Sequence, residues 1–141
     1  MPSYNPVNAS IQKYYFTNYP FFQIFIYCQQ ITVPYDGRNE TFEPVLEFEF
    51  IDLRDADFDQ LNNCKFKLPD ADCSTYYLEA HARIELKSLF FHNYQNDFIE
   101  CDLICEIDFE EEGLEIYTQC DNQKLAFKNL KLEILPIQKN N

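Results

Sequence analysis

The sequence predicts an all-β, mainly antiparallel protein: a two-sheet β-sandwich of about seven strands behind an irregular N-terminal arm. Three observations carry that expectation. Apolar residues recur at every second position through most of the chain, the side-chain period of a strand. The core-forming stock is aromatic, with 14 Phe and 10 Tyr, and such rings suit a pleated, half-buried surface. Short polar connections separate the alternating runs, as antiparallel hairpins require. A length of 141 residues is that of one domain.

Residues 1–20 hold Tyr4, Tyr14, Tyr15, Phe16 and Tyr19 among Asn and Pro, without a sustained period. They are expected to form an aromatic arm laid over the domain itself or, by preference, over a partner, with residues 21–141 as the single β domain. From residue 22 to 28, Phe22, Ile24, Ile26 and Cys28 share one strand face. Phe25 and Tyr27 stand on the other, so both faces are expected to be covered. Residues 34–38 form a turn in which Gly37 supplies backbone freedom. The next strand, 45–53, points Leu46, Phe48 and Phe50 inward against Glu47 and Glu49. Ile51 and Leu53 then change phase, which predicts a bulge.

A short edge strand is expected at 64–68. Residues 76–87 have helix-forming composition and a favourable Glu79–Arg83 spacing. A helix would nevertheless place Glu79 within the apolar face. As a strand, Tyr76, Leu78, Ala80, Ala82, Ile84 and Leu86 share one side, and strand is preferred. Residues 99–109 alternate cleanly, with Ile99, Cys101, Leu103, Cys105, Ile107 and Phe109 opposed to Glu100, Asp102, Glu106 and Asp108. After a turn at 110–113, Leu114, Ile116, Thr118 and Cys120 predict another strand, and 121–124 another turn. An interrupted strand over 125–137 follows. The alternative architecture is an OB-type barrel of five strands, with 75–91 as its one helix.

Charge narrows the function. With 24 acidic against 11 basic residues, a net charge of −13 opposes a groove for nucleic-acid phosphates. Only 2 Gly argue against a phosphate-cradling loop. The acidity suits a partner with a basic surface, or a cation. No run of 18 apolar residues predicts a transmembrane segment, and the start at Met1 lacks a signal-peptide pattern. The expected location is therefore intracellular, in the cytoplasm. Six Cys, with Asn8-Ala9-Ser10 and Asn39-Glu40-Thr41 matching a glycosylation acceptor, would instead suit secretion. The cysteines alternate in phase with Ile and Leu, however, which favours core packing.

Catalysis has no candidate. Cys101 and Cys105 on one strand face lie ~13 Å apart, too far to share a zinc ion. Cys64 and Cys73 flank a loop and are free to approach each other. His81 sits between Glu79 and Arg83 on a polar face, and the contexts of the four serines nominate no triad. The chain is expected not to be an enzyme.

Asp52, Asp55, Asp57 and Asp59 follow one strand, and hard oxygen ligands in one loop suit calcium. An EF-hand would need Gly where Gln60 stands and Glu where Phe66 stands. Asn39-Glu40-Thr41-Phe42, then Leu46-Glu47-Phe48-Glu49-Phe50, then these aspartates, resemble the middle of a C2 domain over about twenty residues. The resemblance implies loop aspartates that bind calcium and phospholipid; the family's Asp-Pro-Tyr signature is missing. Glu100, Asp102, Glu106 and Asp108 form an acidic ridge suited to docking a basic protein. The leading expectation is a non-enzymatic protein-interaction module, a small acidic subunit or adaptor of a larger assembly. It would bind through the arm tyrosines, Phe16, Phe25, Tyr27 and that ridge. A third reading is an OB-type accessory subunit of a single-strand-binding complex, acting through its partner and not by touching nucleic acid.

Overall fold

The structure is a computed structural model that describes residues 3–114 and 122–138. Among these residues it is nearly all β. In chain order the strands are β1 (Pro6–Phe16), β2 (Tyr19–Cys28), β3 (Ile31–Tyr35), β4 (Arg38–Phe42), β5 (Val45–Ile51), β6 (Lys65–Lys67), β7 (Asp72–Tyr77), β8 (Ala80–His92), β9 (Phe98–Asp108) and β10 (Asn122–Ile134). One short helix, α1 (Phe58–Leu61), lies between β5 and β6.

Seven strands close into a barrel in the order β1, β2, β5, β7, β8, β9, β10. Neighbours alternate in direction, so with seven strands the first and last must run the same way. They do: β1 and β10 meet as a parallel seam, with Ser10 opposite Glu133 and Ile11 opposite Ile134. Strand β6 adds outside the ring along the end of β8, and β3 and β4 form a separate hairpin. That hairpin turns at Asp36 and Gly37, both at positive φ, as the Gly37 reading predicts.

The inward residues fill the barrel. Phe22, Ile24, Ile26, Leu46, Phe48, Leu89, Phe91, Ile99, Leu103 and Ile107 are fully buried. Cys28, Cys101 and Cys105 are buried among them, as the alternation predicts; Cys73, expected beside a loop, is buried on β7, Cys64 is half-buried, and all five are free thiols. Burial in apolar surroundings pushes the Cys28 thiol up to about 11 and the Cys73 and Cys105 thiols up to about 12. The β3–β4 hairpin closes one end with Ile31 and Val33, and the Tyr77 hydroxyl donates to the Pro34 carbonyl oxygen at 2.9 Å. The other end is closed by residues 52–61, which bury Leu53 and Leu61 and stack Phe58 edge-on to Phe22.

Several expectations are corrected here. The strands close into one barrel and do not divide into two sheets. A one-sided strand alternates identically in either architecture, so periodicity cannot separate them. Closure agrees with the barrel alternative, but the helix proposed for 75–91 is strand: β7, a tight turn at Leu78 and Glu79, then β8. That turn puts Leu78 at a φ of 59°, unusual for a branched apolar residue, and offers no Gly or Asn to signal it. It also moves Tyr76 to the outside, while Ala82, Ile84 and Leu86 point inward as expected.

The N-terminal arm is likewise a strand. Ala9, Ile11 and Lys13 occupy successive inward positions of β1, and a lysine in an apolar phase hides the period. The bulge predicted from the phase change at Ile51 is present, between Phe48 and Ile51, with Phe50 at a φ of 52° and a register shift where Phe22 pairs with Ile51 but Ile24 with Phe48. It sends Ile51 and Leu53 inward and Phe50 outward, reversing the expectation for Phe50. Residues 122–124 belong to β10 and make no turn; the strand expected at Leu114, Ile116, Thr118 and Cys120 lies largely outside the described residues.

Candidate functional site

A filled barrel offers its outer walls, and two of them differ sharply. On the wall made by β1, β2 and β5, the outward positions nearest the β1–β2 turn are aromatic, and Gln12 and Gln23, hydrogen-bonded to each other at 3.0 Å, follow them. Tyr14 and Phe16 lie opposite Phe21 and Tyr19 across the β1–β2 hairpin. The β5 bulge adds Phe50, whose ring centre lies 5.3 Å from Phe21, 5.5 Å from Phe16 and 5.8 Å from Tyr14, in edge-on contacts. Tyr19 stacks at 5.0 Å on Phe21. The Phe50 amide donates to the Tyr14 hydroxyl oxygen at 2.9 Å, which fixes the bulge against β1. Farther along β2, Phe25 and Tyr27 continue the same phase. Phe16 is 51% exposed, Tyr19 44% and Tyr27 41%.

Of the aromatic residues expected to bind a partner, Tyr14, Phe16, Tyr19, Phe25 and Tyr27 therefore share one wall. Tyr4 is buried. Tyr15 is in the inward phase of β1, half-buried, with the Lys13 ammonium 6.0 Å from its ring. Sequence reasoning missed Phe21 and Phe50. Phe21 is legible in hindsight, because it shares the phase of Phe25 and Tyr27. Phe50 required knowledge of the bulge's side.

The aspartate loop has a different occupation. Lys13, the only charged residue buried among the described residues, reaches the barrel end and places its ammonium 2.8 Å from an Asp55 oxygen. It also donates to the Ala56 carbonyl oxygen at 3.0 Å and lies 3.8 Å from Asp57. Asp52 accepts hydrogen bonds from the Tyr19 hydroxyl at 3.1 Å and the Arg54 amide at 3.0 Å. The first of these holds the Tyr19 hydroxyl above its ordinary pKa. Asp57 and Gln60 form a capping box at the start of α1, with Asp59 in its first turn. Asp55 and Asp57 thus share Lys13, while Asp52 turns to Tyr19 and the Arg54 amide. Among the described residues no group of three or more His, Cys, Asp or Glu side chains is arranged to hold a metal ion. In place of the calcium expected at Asp52, Asp55, Asp57 and Asp59, the structure puts a protein cation, Lys13, against Asp55 and Asp57.

On the opposite wall, β9 carries Glu100, Asp102, Glu106 and Asp108 between β8 and β10. The expected exposed ridge is half-buried and answered locally. Glu106 lies 3.6 Å from the Lys87 ammonium, which also meets Glu85 at 3.1 Å. Asp102 lies 3.1 Å from His92 Nε2 and accepts the Asn129 amide at 2.9 Å. The Asn129 amide first, and His92 second, hold the Asp102 carboxyl below its ordinary pKa. Glu100 accepts from the Asn93 side-chain amide at 2.9 Å. Asp108 accepts the Glu110 and Glu111 amides at 3.0 and 3.1 Å and so closes a turn. These four carboxylates hold neighbouring strands and turns together.

Comparison with family models, with curated proteins and with solved structures found no significant match.

Proposed function

We propose that the chain is a non-enzymatic protein-interaction module, a small acidic subunit or adaptor that docks a protein partner on the wall of β1, β2 and β5. The observation that supports this reading is the cluster of Tyr14, Phe16, Tyr19, Phe21 and Phe50 outside a barrel whose core is already filled. Phe16 and Tyr19 are exposed and the other three rings half-buried; such contiguous apolar surface is costly in a lone molecule and contributes strongly when a partner covers it. The barrel closure also suits the reading as an OB-type accessory subunit of a single-strand-binding complex. In that reading too, the wall meets protein and not nucleic acid. The calcium- and phospholipid-binding alternative loses its support with the aspartate loop held by Lys13.

The test is a comparison of assemblies. Tagged chain is purified from its native cells beside the double variant Phe16→Ser, Tyr27→Ser, and co-purifying proteins are quantified by mass spectrometry. The variant is expected to lose its stoichiometric partners while its melting temperature stays within a few degrees of the parent. Retention of the same partners at the same stoichiometry defeats the proposal.

A further inference from the structure

The aromatic wall has an acidic border that makes no ion pair among the described residues; the nearby Arg83, opposite Ser74 on β8, is engaged by Glu111 at 3.4 Å. Glu47 lies opposite Phe25 on β2 and opposite Ser74 on β7. Glu49, next to Phe50, lies directly opposite Asp72. Like charges facing each other across a strand pair are unfavourable. Burial first, and then the charges of Glu47 and Asp72, push the Glu49 carboxyl above its ordinary pKa.

No remedy comes from the strands themselves. Among β1, β2, β5 and β7 the sequence contains one lysine and no arginine, and that lysine, Lys13, points inward to the aspartate loop. Among the described residues, no Lys, Arg or His lies within ion-pair distance of Glu47, Glu49 or Asp72. The β8–β9–β10 wall, by contrast, answers its carboxylates with Lys87 and His92. A divalent ion is not the missing partner, since these carboxylates form no metal-holding group.

Resting on the docking reading, we infer that the partner presents a basic segment to this wall. Its Arg or Lys side chains would lie between the carboxylates of Glu47, Glu49 and Asp72 and the rings of Phe25, Phe50 and Phe16. The chemistry is doubly matched. Carboxylates pair with guanidinium or ammonium groups, and ring faces attract the same cations. A nucleic acid or an acidic peptide would be repelled by the same border. Arginine fits better than lysine, because its planar group can stack on a ring while its edge hydrogen-bonds a carboxylate.

The probe is a fluorescein-labelled dodecapeptide in which Arg alternates with Leu and Ser. Its control is the same peptide with citrulline, the uncharged counterpart, at each Arg. Anisotropy titrations at physiological salt should show the Arg peptide binding at least about tenfold tighter than the citrulline peptide. The double variant Glu47→Gln, Glu49→Gln should weaken it by about threefold to tenfold. The variant Glu110→Gln, Glu112→Gln removes two carboxylates elsewhere, leaves the Arg83–Glu111 pair intact and should change binding by less than about twofold. Equal loss from both double variants, which would mean bulk acidity alone, overturns the inference, as does equal binding of the two peptides. If either occurs while Phe16→Ser, Tyr27→Ser still strips the native partners, the docking reading stands and only the basic character of the partner falls.

Discussion

The β1–β2–β5 wall and the β8–β9–β10 wall enclose the same core, yet they are finished in opposite ways. The second carries most of the outward charge and satisfies it: Lys87 serves Glu85 and Glu106, and His92 serves Asp102. The first carries rings and, along its border, carboxylates that face one another. A net charge of −13 would by itself direct attention to the most acidic strand, β9. The structure shows that charge density and available charge are separate quantities. What a partner meets is the charge left over after neighbouring strands have answered theirs.

The sharpest way to break this contrast is to compare depth within the aromatic wall. Phe48 is fully buried behind it, and Phe48→Ala should cost about 3–5 kcal/mol in chemical denaturation. Phe16→Ser, on the outside, should cost less than about 1 kcal/mol. Similar costs for the two would make the outer rings structural and leave the wall without a docking role.

A second comparison concerns the lysine that the aromatic wall hides. Asp55 is well exposed, yet Asp55→Ala removes the closest carboxylate from the buried Lys13 ammonium. It is expected to destabilise the fold by ~1–3 kcal/mol, because a buried donor then loses a charged acceptor. Lys13→Met, which removes the charge and keeps an unbranched apolar stem, should cost less. A larger loss for Lys13→Met in equilibrium urea unfolding would show that the ion pair itself is the principal stabiliser.

The smallest effects distinguish the walls by the sign of their pH response. Asp102 has its folded pKa below its ordinary value of 3.8. Its contribution is therefore complete above that value and is lost as pH falls through the folded pKa. Glu49 is shifted the other way, above 4.5. Its contribution is complete below that value and is lost as pH rises through the folded pKa. In melts from pH 2 to 7, Asp102→Asn should lower the melting temperature at pH 6 and converge on the parent at the acid end. Glu49→Gln should raise it at pH 6, with the gain shrinking as the pH falls through the folded pKa and gone below 4.5. Parallel curves for parent and variant at either site would remove the electrostatic distinction.

Much of the barrel was legible in single strands. The alternations of Phe22 to Cys28 and of Ile99 to Ile107 name inward residues that the structure buries. The phase change at Ile51 locates a true bulge. What could not be read is how strands meet, because a period describes one strand's two faces and not its neighbours. Closure by β1 and β10 was hidden for that reason, and β1 itself was hidden by Lys13 in an apolar phase. The same limit governed the surface. The rings Tyr14, Phe16, Tyr19, Phe25 and Tyr27 are visible as aromatic residues, but their assembly with Phe21 and Phe50 depends on pairing register. The acidity of β9 was visible, while its answering cations stand on β8.

The parallel seam has a consequence for how the molecule comes into being. Strand β1 is near one end of the sequence and β10 near the other, so the contact that shuts the barrel has one of the longest loops in the chain to close. Hairpins such as β1–β2 and β7–β8 can pair locally and early, whereas the seam must wait for nearly all the rest. Topologies dominated by distant pairings of this kind fold slowly. Until the seam forms, the outer edges of β1 and β10 are open templates for pairing with other chains. Assembly and misassembly would therefore compete at the same two strands, before the aromatic wall beside them has its final shape.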